Sequence, residues 1–137
     1  MTTAQMSRPR IVLADDHPHV LGAFGRLLGF SCEVVGSVPN GRDAIEAVLT
    51  LRPDILVVDL MMPDLDGLEV CRRVKHAAPE TAVVIVTAFD DAEMQNVALE
   101  AGASAFIPKH AAADALERTV RQVFAEKHDT PPPYPLL

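Results

Sequence analysis

The chain has 137 residues, is 49% apolar and 23% charged, and carries a formal charge of −7. That length and balance fit one globular domain burying roughly two-thirds of its unfolded surface, and they exclude a chain disordered throughout. The negative charge argues against direct contact with nucleic acid phosphates, no run approaches the ~20 apolar residues of a membrane span, and the opening MTTAQMSRPR lacks the apolar centre of a signal peptide, so a cytoplasmic protein is expected.

Residues 1–7 read as a disordered extension. Ile11 to Ala14 form a first short β-rich run, which emerges directly into Asp15, Asp16, His17 and Pro18. Pro18 suits a first helical turn, and Val20, Leu21, Phe24, Leu27 and Leu28 follow at helical offsets. A second β-rich run covers Glu33 to Val38, and Ala44, Ala47, Val48 and Leu51 form the next helical stripe. Ile55 to Leu60 make a third, strongly apolar run. Behind it, "DLDG" is a turn and cap signal, with Asp64 and Asp66 in those roles and Gly67 relieving the turn, before the stripe Leu68, Cys71 and Val74. Ala82 to Thr87 form the fourth run. A weakly apolar helix near Ala92 to Ala101 then ends at Gly102, which reads as its C-terminal cap. Ala105 to Pro108 form the fifth run, and Leu116, Val120, Val123 and Phe124 the last stripe. "KHDTPPPYPLL" cannot continue a helix, so 127–137 read as a proline-rich tail or linker after a domain spanning 8–126. Cys32 and Cys71 have neither zinc nor redox spacing and read as buried free thiols.

This alternation is α/β, (βα)5. Five units are too few for an eight-stranded barrel, so the expected fold is an open, doubly wound, flavodoxin-like parallel sheet in the order 2-1-3-4-5. Such sheets bind ligands at the carboxyl ends of their strands, where Asp15, Asp16, Asp59, Thr87 and Lys109 would all converge. Three carboxylates at one mouth repel each other, and an oxygen-seeking divalent cation resolves the conflict. Magnesium, held by one or two carboxylates together with waters and phosphate oxygens, suits a phosphoryl group; Mn²⁺ is the second candidate. A carboxylate can attack phosphorus, and Asp59 on the middle strand is best placed to do so, with Lys109 neutralising the phosphoryl oxygens and the Thr87 hydroxyl donating to one of them. Simpler readings exist: Asp15 or Asp16 as helix N-caps, Thr87 as an ordinary strand residue, Lys109 as a solvated loop lysine. Of the five histidines only His17 approaches this edge, and it reads as a solvated loop residue.

"LADDHP", "VVDLMMPDLDGLEV", "VIVTAFD" and "AGASAFIPK", in that order, make residues 8 to 126 resemble a response regulator receiver domain of two-component signalling, with "DDHP" and "GASAFIPK" most like the NarL/FixJ-type transcription regulators. The resemblance implies that Asp59 accepts a phosphoryl group from a phosphohistidine of a sensor histidine kinase. It implies that Asp16, Asp59 and the backbone carbonyl of Met61 bind Mg²⁺, with Asp15 acting through a metal-bound water. Thr87 and Phe106 match the pair that reports phosphorylation to the face made by the fourth helix, fifth strand and fifth helix. A homodimer formed on phosphorylation, and DNA binding through a C-terminal domain absent from this chain, are further expectations. The alternative output is a stand-alone receiver that docks to a protein or relays phosphate. Such a domain transfers a phosphoryl group to itself and loses it slowly, and is not otherwise an enzyme.

Many relatives place a proline after the lysine; here His110 stands there and Pro108 precedes it, which suits an edge strand but leaves the aim of Lys109 open. Other readings fare worse. A haloacid dehalogenase-type phosphatase would need a second acid where Met61 stands, a nucleotide-binding module would want a Gly/Ser/Thr-rich cradle after the first strand, and a receiver-like interaction module would lack part of the acidic set. Met61 and Phe89, both bulky and apolar, are expected to border the approach of hydrolytic water and so to set the lifetime of the phosphoryl group.

Overall fold

Successive strand residues of this chain face opposite sides, and nearly all of them are apolar, so the sheet needs cover on both faces. A computed structural model, which describes residues 8–88 and 91–128, supplies it. The expectations for 1–7, Phe89 and 129–137 lie outside the described residues. Strands β1 (Arg10–Ala14), β2 (Glu33–Val38), β3 (Ile55–Asp59), β4 (Ala82–Thr87) and β5 (Ala105–Pro108) form one parallel sheet in the order β2-β1-β3-β4-β5. Helices α1 (Pro18–Leu28), α2 (Gly41–Leu51), α3 (Gly67–Ala77) and α4 (Ala92–Glu100) connect them, and a 3₁₀ turn at Lys109–Ala111 opens α5 (Ala112–His128). The flavodoxin-like expectation and its strand order hold. The last helix runs to His128, so Lys127 and His128 are helical rather than part of the tail. Lys127 is held there because its Nζ donates to the carbonyls of Asp54, at 2.9 Å, and of Glu80.

Alternation divides the core in two. Val12, Ala14, Leu56, Val58, Val83 and Ile85 face one side, where Ala44 and Val48 of α2, Val70, Cys71 and Val74 of α3, and Ala98 of α4 cover them. Ile11, Leu13, Ile55, Val57, Val84 and Val86 face the other, beneath Leu28 of α1 and Leu116, Val120 and Val123 of α5. Burying such a side chain contributes roughly 1.5–3 kcal/mol. Both cysteines are buried and free, and burial pushes the Cys71 thiol up to about 11, as expected of structural thiols. Pro108 tolerates its place because β5 is an edge strand, and Gly102 takes the positive φ of 108° that ends α4.

Asp66 caps α3 by accepting from the Glu69 N–H at 2.9 Å. Asp64 does more than turn the chain. It reaches back to α2 and accepts from the N–H groups of Gly41 (2.8 Å) and Arg42 (2.9 Å), as well as from Leu65 (2.7 Å). Slight burial opposes the charge, but these backbone donors outweigh it and hold the Asp64 carboxyl at about 2. Because this folded pKa lies below the unfolded value, the stabilising contribution is complete above about pH 4 and disappears as pH falls through about 2. Asp64→Ala should therefore lower the melting temperature at pH 7, and the gap from wild type should close in thermal scans carried towards pH 2. A gap that stays constant with pH would remove Asp64 from this role.

Candidate functional site

The carboxyl edge of the sheet collects the acidic residues for a plain reason: β1 and β3 are adjacent and in register, Ala14 opposite Val58. The next residues, Asp15 just beyond β1 and Asp59 at the end of β3, therefore stand side by side. Asp15 is 3% exposed and Asp59 4%, and Thr87, at the end of β4, is fully buried. Asp15 is anchored by its own backbone N–H, which donates to the Val38 carbonyl at 3.1 Å.

Lys109 is the counter-charge. Its Nζ lies 2.9 Å from Asp15 Oδ2 and 3.1 Å from Asp59 Oδ2, bridging the two buried carboxylates. Extended backbone at Pro108 (φ −66°, ψ 141°) followed by the 3₁₀ turn aims the side chain inward, so His110 in place of a proline does not deflect it. Burial pushes the Asp59 carboxyl above its usual range, with Lys109 only partly offsetting it and the Asp15 charge adding to it. Burial works against the Lys109 ammonium, but its hydrogen bonds to Asp15 and Asp59 outweigh that and its pKa is raised.

Asp16 stands at the rim, with its side chain 36% exposed. Met61, 55% exposed, donates its backbone N–H to Asp59 Oδ1 at 3.3 Å. Phe89, its expected companion in setting the lifetime of the phosphoryl group, lies outside the described residues. Phe106 is half-buried against the α2–α3–α4 core and pairs with Ile85, while Thr87 pairs with Pro108. Thr87 and Phe106 therefore share one face of the sheet on neighbouring strands.

His17 departs from the sequence reading. It is not merely a solvated loop residue, because its Nδ1 lies 3.0 Å from both Asp15 Oδ1 and Asp16 Oδ1. The signal was present in the spacing, since a residue two positions beyond a strand-end aspartate can fold back on it, but polarity alone does not say that it will. Asp15, Asp16, Asp59 and His17 each offer one ligand atom, all within 4.8 Å of one another. Three carboxylates against one lysine leave an excess of negative charge and hard oxygen donors, which fits a divalent cation.

A doubly wound parallel sheet that gathers buried carboxylates and a bridging lysine at its carboxyl edge defines a class of proteins that handle a charged ligand at the switch point. The particular family follows from comparison. Residues 11–121 match the family model of the response regulator receiver domain. The response regulator MprA of Mycolicibacterium vanbaalenii is 36% identical over 112 residues, covering 82% of this chain and 48% of that protein. The oxygen regulatory protein NreC of Staphylococcus epidermidis is 37% identical over 118 residues, covering 84% and 54%. Among solved structures, the signal receiver domain of the response regulator NarL from Mycobacterium tuberculosis superposes with a TM-score of 0.83 at 29% identity, covering 87% of this chain and 98% of that one. A LuxR-family two-component response regulator from Aurantimonas sp. SI85-9A1 gives the same score and identity, covering 87% and 86%. The chain belongs to the response regulator receiver domain family. It spans about half the length of the curated relatives it matches. Among the described residues no helix is long and apolar enough to cross a membrane.

Proposed function

We propose that this receiver domain is switched by phosphorylation of Asp59, with a phosphohistidine of a sensor histidine kinase as donor and Mg²⁺, or Mn²⁺, as the required cation. The observation that supports the reading best is the Lys109 bridge. A carboxylate nearly excluded from water, with an ammonium 3.1 Å away, combines a nucleophile with a charge able to receive the oxygens of an incoming phosphoryl group.

Asp59 attacks phosphorus, a P–O bond forms as the P–N bond of the phosphohistidine breaks, and the imidazole leaves with its electron pair and takes up a proton. Asp16, Asp59 and the Met61 carbonyl are the residues that would hold the cation, with Asp15 acting through a water; when bound, the cation neutralises charge developing on the phosphoryl oxygens. Lys109 exchanges its contact with Asp59 for one with a phosphoryl oxygen. The Thr87 hydroxyl donates to another, and the space it vacates admits the Phe106 ring, which alters the face made by α4, β5 and α5. Met61 shields the acyl phosphate so formed from water. The output carried by this change is transcription, through a DNA-binding domain outside this chain, with dimerisation on phosphorylation as the coupling event.

The test is intact mass after incubation with acetyl phosphate and Mg²⁺. One added phosphoryl group is expected in wild type and none in Asp59→Asn, and omission of the cation should abolish labelling. Equal labelling of the variant would overturn the assignment.

A further inference from the structure

We propose that a cavity at the amino edge of the sheet binds a small molecule carrying a phosphate monoester, between Arg52, Lys75 and Lys127. The cavity has a volume of about 520 Å³, within the roughly 300–1,000 Å³ of small-ligand sites, and lies at the opposite end of the strands from Asp59. It shares no residue with the carboxylate cluster, so it does not depend on the reading of Asp59.

The parallel topology sends each helix back towards the amino ends of the strands, so helix C-termini and the loops after them meet at this edge. Arg52 is the C-cap of α2, Lys75 lies in the last turn of α3, Ser104 precedes β5, and Lys127 lies in the last turn of α5. Cations at helix C-termini commonly serve only to cap carbonyls. Arg8 and Arg10 do so here: Arg8 donates to the carbonyls of Gly29 and Cys32, and Arg10 to those of Leu51 and Arg52. Arg52 is different. Its guanidinium Nη1 lies 3.1 Å from Glu80 Oε1 on the exposed rim. Among the described residues it is also the one non-glycine with positive φ, at φ 50° and ψ 58°. Glycine would take that conformation without strain, so the position holds an arginine at a cost.

The charge lining the cavity is unbalanced, three cations against Asp54 and Glu80. Asp54 is turned to β1, where its Oδ2 accepts from the Arg10 N–H at 2.8 Å, and Glu80 pairs with Arg52. Lys75 donates to the carbonyls of Pro79 (2.8 Å) and Thr81 (3.0 Å), which occupies two of its three N–H groups, and Lys127 donates to those of Asp54 and Glu80. Neutral carbonyls orient these ammoniums without cancelling their charge. Burial holds Lys127 below its ordinary range; Asp54 and Glu80 oppose this, and the nearby Lys75 charge adds to it. A phosphate monoester, close to a dianion at neutral pH, neutralises the excess, with a forked contact from Arg52 and point charges from the lysines. The exposed Ser104 is a further donor, and Pro53 and Ala82 give the rest of the molecule an apolar wall. A polyanion is disfavoured, because the chain as a whole carries −7 and the positive excess is local.

Amide NMR titration of the whole chain without divalent cation tests this, with inorganic phosphate and glycerol 3-phosphate as probes and sodium chloride at matched ionic strength as control. Both probes should give saturable shifts at Arg52, Glu80, Ala82 and Ser104 that chloride does not reproduce. Arg52→Gly and Lys75→Met should each weaken glycerol 3-phosphate by tenfold or more. Arg52→Gly is expected to stay folded, since release of the left-handed backbone offsets the loss of an exposed ion pair, so the test stands even where Lys75→Met loosens the loop after α3. Shifts equal to those from chloride, shifts confined to the Lys109 edge, binding of inorganic phosphate without the monoester, or a monoester affinity unchanged in Arg52→Gly would each overturn the proposal.

Discussion

Lys109→Ala is expected to unfold more easily than wild type by about 2–3 kcal/mol at pH 7, and to label from acetyl phosphate about 100-fold more slowly. The substitution leaves Asp15 and Asp59, both with side chains 4% exposed, facing each other without the ammonium that bridges them. Breaking a buried ion pair by removing one partner costs about 3–5 kcal/mol; the figure here is smaller because His17 still contacts Asp15 and the Met61 N–H still donates to Asp59. The pH dependence has a definite sign. Burial already holds the folded Asp59 pKa above its unfolded value, and loss of Lys109 raises it further. A carboxyl of this kind binds more protons folded than unfolded, so its contribution to stability falls as pH rises through that window. The deficit of Lys109→Ala should therefore shrink as pH is lowered towards the unfolded carboxyl value near 4. Divalent cation should also restore part of the deficit at pH 7. Urea unfolding at pH 7 and pH 5, with and without Mg²⁺, measures all of this. An unchanged midpoint at pH 7 would mean that the bridge does not compensate the buried carboxylates.

The fold was legible because it depends on quantities a sequence carries directly. Runs such as "ILVV" and "AVVIV" are too apolar to face water on either side, and the five alternations leave little choice but a covered parallel sheet. The convergence of Asp15, Asp59, Thr87 and Lys109 follows from parallel strands that all end at the same edge. Contacts across loops were harder to read. Asp64 looks like any turn aspartate until α2 is seen to begin within its reach, because the partners are 22 and 23 residues away in sequence. The orientation of Lys109 depends on a 3₁₀ turn that no periodicity reveals. The contact of His17 with Asp15 and Asp16 is hard to read in the sequence for a related reason: a histidine preceding a proline-started helix can face solvent or fold back, and the choice is made by Pro18, His19 and the buried Asp15 together.

Gly67 gives the sharpest case of a backbone approach that supports the site. Its N–H donates to the Leu60 carbonyl at 2.8 Å, which draws the start of α3 against the end of β3. A Cβ at this position would lie 2.6 Å from the Asp59 carbonyl oxygen and 2.9 Å from Leu60 Cα. Both are backbone atoms, so no side chain can swing aside to make room. Gly67→Ala must instead push α3 away or bend the end of β3, and overpacking of this kind costs about 1–3 kcal/mol, with the upper part of that range expected here. The displacement falls on the residue that carries the carboxylate. A misplacement of about 1 Å can cost 100-fold in a reaction that depends on alignment, so labelling of Asp59 should fall by more than the loss of folded protein accounts for. Gly25 supplies the contrast. It lies inside α1, and a Cβ there meets nothing within 4 Å, so Gly25→Ala should gain about 0.5–1 kcal/mol from helix propensity alone. One added methyl group should thus move the melting temperature in opposite directions at the two positions, down by about 10 °C at Gly67 and up by a few degrees at Gly25. Thermal unfolding of both variants, with labelling rates measured at a temperature where both are folded, decides it. Equal small shifts at the two positions would show that β3 and α3 can part without cost, and that the end of β3 does not hold Asp59 in place.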